Sequence, residues 1–238
     1  VSNINGNSAS AVHNYSVDSS VPTIIINTVA SDNIVNASEA DAGVTVSGST
    51  TAEAGQIVTI TLNSPTVQTY QATVQADGSW SINIPAADLE ALTDGSHTLT
   101  ATVNDKAGNP ASTTHNLAVD LTVPVLTINT IAGDDIINAA EAGVAQTISG
   151  QVTGAAVGDA VTVTLGGNTY TTTVQPGLSW SVSIPADAIQ ALGNGDLTVS
   201  ASVTNQNGNT GSGTRDITID ANLPGLRVDT VAGDDVVN

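Results

Sequence analysis

The chain repeats itself at a period of 100 residues. Trp80 and Trp180 stand 100 apart, as do Tyr70 and Tyr170, while Asp18, Asp120 and Asp220 follow one another at 102 and 100. "DGSWSINIPAADLEAL" is answered by "GLSWSVSIPADAIQAL", and "NDKAGN" by "TNQNGN". Self-similarity at a fixed period means that each period is one structural unit stacked or strung beside its neighbours. The phrase Asp-x-x-x-Pro marks the seams. It divides the chain into one unit over 21–120 and a second over 121–220. Residues 1–20 match the end of a unit, because Asn3, Gly6, His13 and Val17 align with Asp105, Gly108, His115 and Val119. Residues 221–238 match the start of another. The sequence therefore reads as a window onto a longer tandem array.

Within a unit the hydrophobic pattern has a period of two, which marks strands with one buried face. Trp80, Ile82 and Ile84 alternate with Ser and Asn; Leu99, Ala101 and Val103 alternate with Thr. Turn signals such as "EAGQ", "ADGS", "TDGS" and "DKAGNP" fall between the runs. The first unit is expected to hold seven strands, near 23–28, 44–50, 57–62, 67–74, 79–84, 96–103 and 111–119. One short helix is expected at "PAADLEAL", with Pro85 in its first turn. Seven short strands in about 100 residues predict an all-β fold, a two-sheet immunoglobulin-like sandwich, repeated head to tail. The inter-sheet disulfide of antibody domains is impossible in a chain without Cys, so Trp80 and Trp180 are expected to fill the core instead.

Charge narrows the function. Three bases (Lys106, Arg215, Arg227) stand against 22 acids, a formal net charge of −19. Nucleic acid and anionic membrane surfaces need clusters of Lys and Arg, and neither is an expected partner. No run approaches the ~18 apolar residues of a membrane span. Although the chain is acidic and poor in aromatics, 40% of its residues are hydrophobic and regularly alternating, so it is expected to fold.

The acids recur in register. "NTVASDNIVN" from Asn27, "NTIAGDDIINAAE" from Asn129 and "DTVAGDDVVN" from Asp229 place carboxylates and an asparagine at the same point of each period. Strand parity puts the first inter-strand loop and the end of the last strand at one pole of a unit, and the last hairpin loop at the other. The expected ligand sets are then Asp18 with Asp105 at the entrance to the first unit. Between the units they are Asp32, Asn36 and Glu39 with Asp120 and the Asn205 loop. At the exit of the second they are Asp134, Asp135, Asn138, Glu141 and Asp220. Two carboxylates ~5 Å apart repel by roughly 1 kcal/mol even in water. A hard divalent cation removes that penalty, and Ca²⁺ takes six to eight oxygens in loose geometry, whereas Zn²⁺ wants His or Cys. Calcium is the expected cofactor. The competing account is that Asp and Asn at turns merely bond their own backbone.

These features together resemble the bacterial immunoglobulin-like repeats of giant adhesins exported by type I secretion, such as the Bap-type biofilm proteins. The resemblance is carried by "VDLTVPVLTINTIAGDDIINAAE", "GSWSINIPAADLEAL" and "TATVNDKAGNPAS". It implies a secreted or cell-surface location, and neighbouring repeats of the same chain as the principal partners. It also implies a long stalk stiffened by junctional calcium; the chain itself is expected to be monomeric, with any host or biofilm surface met through other domains.

A catalytic reading has little to stand on. There is no G-x-S-x-G; His13 and His115 are one repeat position, replaced by Arg215 in the second unit, and His97 is expected on an outward strand face. The rival to a spacer is a carbohydrate- or receptor-binding module, which would present exposed aromatics or a long unrepeated loop. Aromatics are 2% of the residues and the loops are short.

Overall fold

A computed structural model describes residues 1, 2, 4–63 and 67–227. They form two compact units, one of Val1–Val35 with Glu39–Val119, the other of Asn36–Ser38 with the chain from Asp120 onward.

Over 24–120 the chain forms β1 (Ile24–Ile26), β2 (Ile34–Asn36), α1 (Ala37–Ala42), β3 (Val44–Thr50), β4 (Ile57–Asn63), β5 (Gln68–Thr73), β6 (Ser79–Ile84), α2 (Ala86–Glu90), β7 (Gly95–Asn104) and β8 (Pro110–Asp120). They make a three-stranded sheet, β1-β3-β6, and a five-stranded sheet, β2-β8-β7-β4-β5. The second unit repeats this with β9 (Val125–Leu126), β10 (Ile136–Asn138), a 3₁₀ turn (Glu141–Gly143), β11 (Gln146–Thr153), β12 (Ala160–Leu165), β13 (Asn168–Thr173), β14 (Ser179–Ile184), α3 (Ala186–Leu192), β15 (Gly195–Thr204) and β16 (Thr210–Asp220). Its sheets are β9-β11-β14 and β10-β16-β15-β12-β13.

The alternation works as expected. Along β4 the buried residues are Val58, Ile60 and Leu62, and along β12 Val161, Val163 and Leu165. Trp80 and Trp180 are each 1% exposed and fill the two cores. Leu89 and Ile189, from the helices that follow Pro85 and Pro185, close an edge of each core with no exposed surface.

Three details depart from the sequence reading. Among the described residues each unit has eight strands, because a short extra strand forms in the expected first inter-strand loop and joins the other sheet. β1 pairs antiparallel with β3, and β2 crosses to lie beside β8. The switch is made in the turn after Val29, where Ala30, Ser31 and Asn33 adopt φ of 51°, 69° and 68°. In the second unit Ala132, Gly133 and Asp135 do the same, and β10 then runs parallel to β16, Asn138 beside Asp220. His97 is buried, not outward. It shares the parity of Leu99 and Ala101, and its Nε2 lies 2.8 Å from Thr93 O. Residues 1–20, read as a last strand, carry an isolated bridge between Ser2 and Ser8, and Val12, Tyr15 and Val17 are exposed. Most of the stretch read as a following first strand lies outside the described residues.

Candidate functional site

Each aspartate of the Asp-x-x-x-Pro phrase shapes its own backbone. The Oδ1 atoms of Asp18, Asp120 and Asp220 accept the N–H of Ser20, Thr122 and Asn222 at 2.9, 3.1 and 3.2 Å. Asp32 and Asp134 do likewise for Ile34 and Ile136, at 2.9 and 3.0 Å. A side-chain oxygen bonded two residues on is an Asx-turn, so part of the recurrence of these acids is turn chemistry. Asn138 and Glu141 form a capping box. Asn138 Oδ1 accepts the N–H of Ala140 and Glu141, and Glu141 Oε2 accepts that of Asn138. Asn36 and Glu39 hold the matching positions, at the end of β2 and in the first turn of α1.

The structure brings together some of these acids. At the entrance to the first unit, Asp18, Glu53 and Asp105 line one cavity of about 170 Å³ with Ser20, Pro22 and Thr51. At the entrance to the second, Asp120 shares a cavity of about 250 Å³ with Asp159, Asn205 and Asn207. Glu53 and Asp159 were missed in the sequence because each lies in an ordinary-looking turn. At the far pole of the second unit, β-pairing sets Asn138 against Asp220. Asp134 lines a separate open groove with Asp196 and Asp216, whose carboxylates accept the hydroxyls of Thr218 and Thr198.

The residue that closes each entrance is an asparagine. In the first unit the Asn109 N–H donates to Asp105 Oδ1 (2.8 Å), while its Nδ2 donates to Asp105 Oδ2 (2.9 Å) and to the backbone oxygen of Asp18 (3.2 Å). The Asn109 side chain, followed by backbone N–H groups of the loop, holds the Asp105 carboxyl below the usual carboxylate range against the opposing effect of burial. In the second unit the Asn209 N–H donates to Asn205 Oδ1 (2.9 Å) and its Nδ2 to Asp120 O (2.9 Å). Asn209 Oδ1 accepts the Ala37 N–H at 2.8 Å. The shared "GN" of the two loops was the available signal.

At the first entrance three carboxylates line one small cavity, with Glu53 Oε2 accepting the Lys106 N–H at 3.0 Å and both Asp105 oxygens held by Asn109. Among the described residues, however, no three acidic or histidine side chains stand as a ready metal cage.

A cation of the protein's own occupies one turn. Arg215 donates from Nε to Asp135 Oδ1 (2.6 Å), from Nη1 to Ile128 O (3.0 Å) and from Nη2 to Thr130 Oγ1 (2.9 Å). It thereby fastens the crossover between β9 and β10 to β16. In the first unit His115 Nε2 meets Asn33 Oδ1 at 2.7 Å in the same place. The Arg215 bonds, then the Ile131 N–H, hold the Asp135 carboxyl below its ordinary value. A depressed carboxylate stabilises the fold above the ordinary value, and that contribution disappears as pH falls through the folded one. Arg215→Ala should therefore lower the melting temperature of the second unit at pH 7. The deficit should shrink when the melts are repeated below about pH 4.

The family model of the bacterial Ig-like domain matches residues 27–121. Among solved structures, the chain is similar to a Ca²⁺-stabilized adhesin that helps an Antarctic bacterium reach out and bind ice. Identity is 33%, covering 98% of this chain and 59% of that one, at a TM-score of 0.56. It is also similar to a 1.5-MDa bacterial ice-binding adhesin studied for host cell surface retention, with 36% identity over 86% of this chain and 66% of that one, at a TM-score of 0.50. A single bacterial immunoglobulin-like domain from the M. primoryensis ice-binding adhesin is 36% identical, covering 42% of this chain and 99% of that domain, at a TM-score of 0.36. The chain thus spans 59% and 66% of the first two relatives. The comparison with curated proteins finds no match.

Proposed function

The chain belongs to the bacterial immunoglobulin-like domain family that makes up the repeats of giant adhesins, and on that premise we propose that it is a stretch of stalk that bears tension. Its work is to hold other parts of a secreted or cell-surface adhesin at a distance, in support of adhesion and biofilm formation. One observation carries this reading: the strand pairing that joins the two ends of a unit. In the second unit β10, near the start, lies parallel to β16, which ends the unit, Ile136–Asn138 against Thr218–Asp220. Pulling a unit by its ends drags two parallel neighbours in opposite directions along their axes. Their hydrogen bonds run across the strands and are loaded together, in shear, instead of opening one at a time. Arg215 adds side-chain bonds across the same pair of segments.

Calcium enters the proposal at the first entrance. Asp18, Glu53 and Asp105 would hold the ion, which supplies positive charge among three carboxylates and ties the incoming chain at Asp18 to two loops of the sandwich. Each sandwich keeps its own core, so the ion orders the entrance without being required for folding. Extracellular calcium modules bind at about 10⁻⁴–10⁻³ M. At tenfold excess over its dissociation constant, one ion would add roughly 1.4 kcal/mol. Calorimetry on the two-unit chain should show calcium binding in that range, lost in Asp18→Ala, with both sandwiches still folded in chelator. Binding undiminished in Asp18→Ala, or unfolding by chelator, would rule the calcium assignment out.

A further inference from the structure

Asp18 and Asp120 occupy the same place in their units, yet the groups that face them are opposite in polarity. The first loop presents the Asp105 carboxylate, whereas the second presents the amide of Asn205. The orientation of that amide is dictated by its neighbours. Asn205 Oδ1 accepts the N–H groups of Asn207 (3.1 Å) and Asn209 (2.9 Å), so Nδ2 is the atom left to meet Asp120 Oδ2 at 3.3 Å and Gly154 O at 3.4 Å. Turning the amide over would set its NH₂ against two N–H donors. Asn207 stands where the first unit has Ala107, and its Nδ2 donates to the same Asp120 Oδ2 at 2.6 Å. The other oxygens of Asp120 are engaged too, Oδ1 by Thr122 N–H and the backbone oxygen by Asn209 Nδ2. A cation approaching Oδ2 would meet amide hydrogens, with the carbonyl of Asn205 turned away. Asp159, the other carboxylate of this cavity, accepts the Ala156 N–H at its Oδ2 (2.7 Å), so calcium does not fit these residues as they are bonded.

We infer that the entrance to the second unit is held without metal: the Asn205 and Asn207 amides donate to Asp120 and orient it as a cation would orient Asp18. The contrast rests on the calcium reading of the first entrance, but the Asp120 half stands without it. A stalk built of both kinds of unit would then carry entrances that respond to calcium and entrances that hold at any calcium level.

The test is nuclear magnetic resonance on the whole two-unit chain, following the side-chain amide signals of Asn205 and Asn207 in chelator and in 10-fold excess CaCl₂ over a dissociation constant of about 1 mM. Both should exchange with solvent at least tenfold more slowly than a free asparagine amide, at the same shifts in both conditions. In Asp120→Ala the Asn207 amide should lose that protection. Signals that move on adding calcium, or that exchange at the free rate in chelator, would overturn the inference. Backbone signals of Ser20 and Asn109 report the first entrance separately: if they ignore calcium, the calcium reading fails while the amide joint stands.

Discussion

Gly150→Ala is expected to destabilise the second unit strongly while leaving the first intact. Gly150 sits in β11 directly opposite Trp180 of β14, and the indole lies over it. A Cβ there would stand 1.8 Å from the backbone oxygen of Thr127 and 2.8 Å from two atoms of the Trp180 ring. Neither neighbour can retreat. The Thr127 N–H is bonded to Gln151 O at 2.9 Å, and the ring is 1% exposed in a packed core. Overpacking costs about 1–3 kcal/mol where surroundings relax. Against a fixed backbone oxygen the cost should reach or exceed the top of that range, a large part of the 5–15 kcal/mol typical of a domain. Gly48 repeats the arrangement, with Ile25 O at 2.0 Å and Trp80 Cζ2 at 2.4 Å. Thermal melts should therefore show one cooperative transition clearly lowered in Gly150→Ala and the other in Gly48→Ala. A melt of either variant within about 1 °C of the parent would refute the packing described.

Asn209→Ala carries the next largest effect. Asn209 is 3% exposed, and its side chain bonds the Asp120 backbone oxygen and the Ala37 N–H. Alanine leaves both groups, each partly buried, without that partner, and the cost should approach the lower end of the ~1–3 kcal/mol of a fully buried unsatisfied group. Asn109, partly exposed and bonded to the Asp18 oxygen at the longer 3.2 Å, should lose less on the same substitution. The measurement is chemical denaturation of both variants beside the parent. A smaller loss in Asn209→Ala than in Asn109→Ala would contradict the ordering.

How much of this was legible in the sequence depends on the length scale of each signal. Runs such as Trp80–Ile84 and Leu99–Val103 declare strands because one face is buried over five residues. β2, "IVN", is too short to show a period, and its position beside β8 comes from the positive-φ turn before it. The same parity that places Leu99 inward places His97 inward, so its burial was readable and was misread. Gly48 and Gly150 look like weak points in strands, and the indole above each one shows why no side chain fits. The recurring acids were visible, but their bonds were not. An Asx-turn, a capping box and a carboxylate cluster draw on the same residues, and the loops of the fold determine which one Asp120 or Asn138 joins. Asn109 and Asn209 were hidden because an uncharged residue after Gly reads as a turn.

Each unit should resist being pulled by its ends. Single-molecule force spectroscopy on the chain, held by its two termini, tests it directly. Two separate unfolding steps are expected, each releasing roughly 100 residues, on the order of 300 Å of chain. The first unit, fastened by His115, should yield before the second, fastened by Arg215, and Arg215→Ala should bring the second step down toward the first. Gradual lengthening without distinct steps, or a second step unmoved by Arg215→Ala, would contradict it.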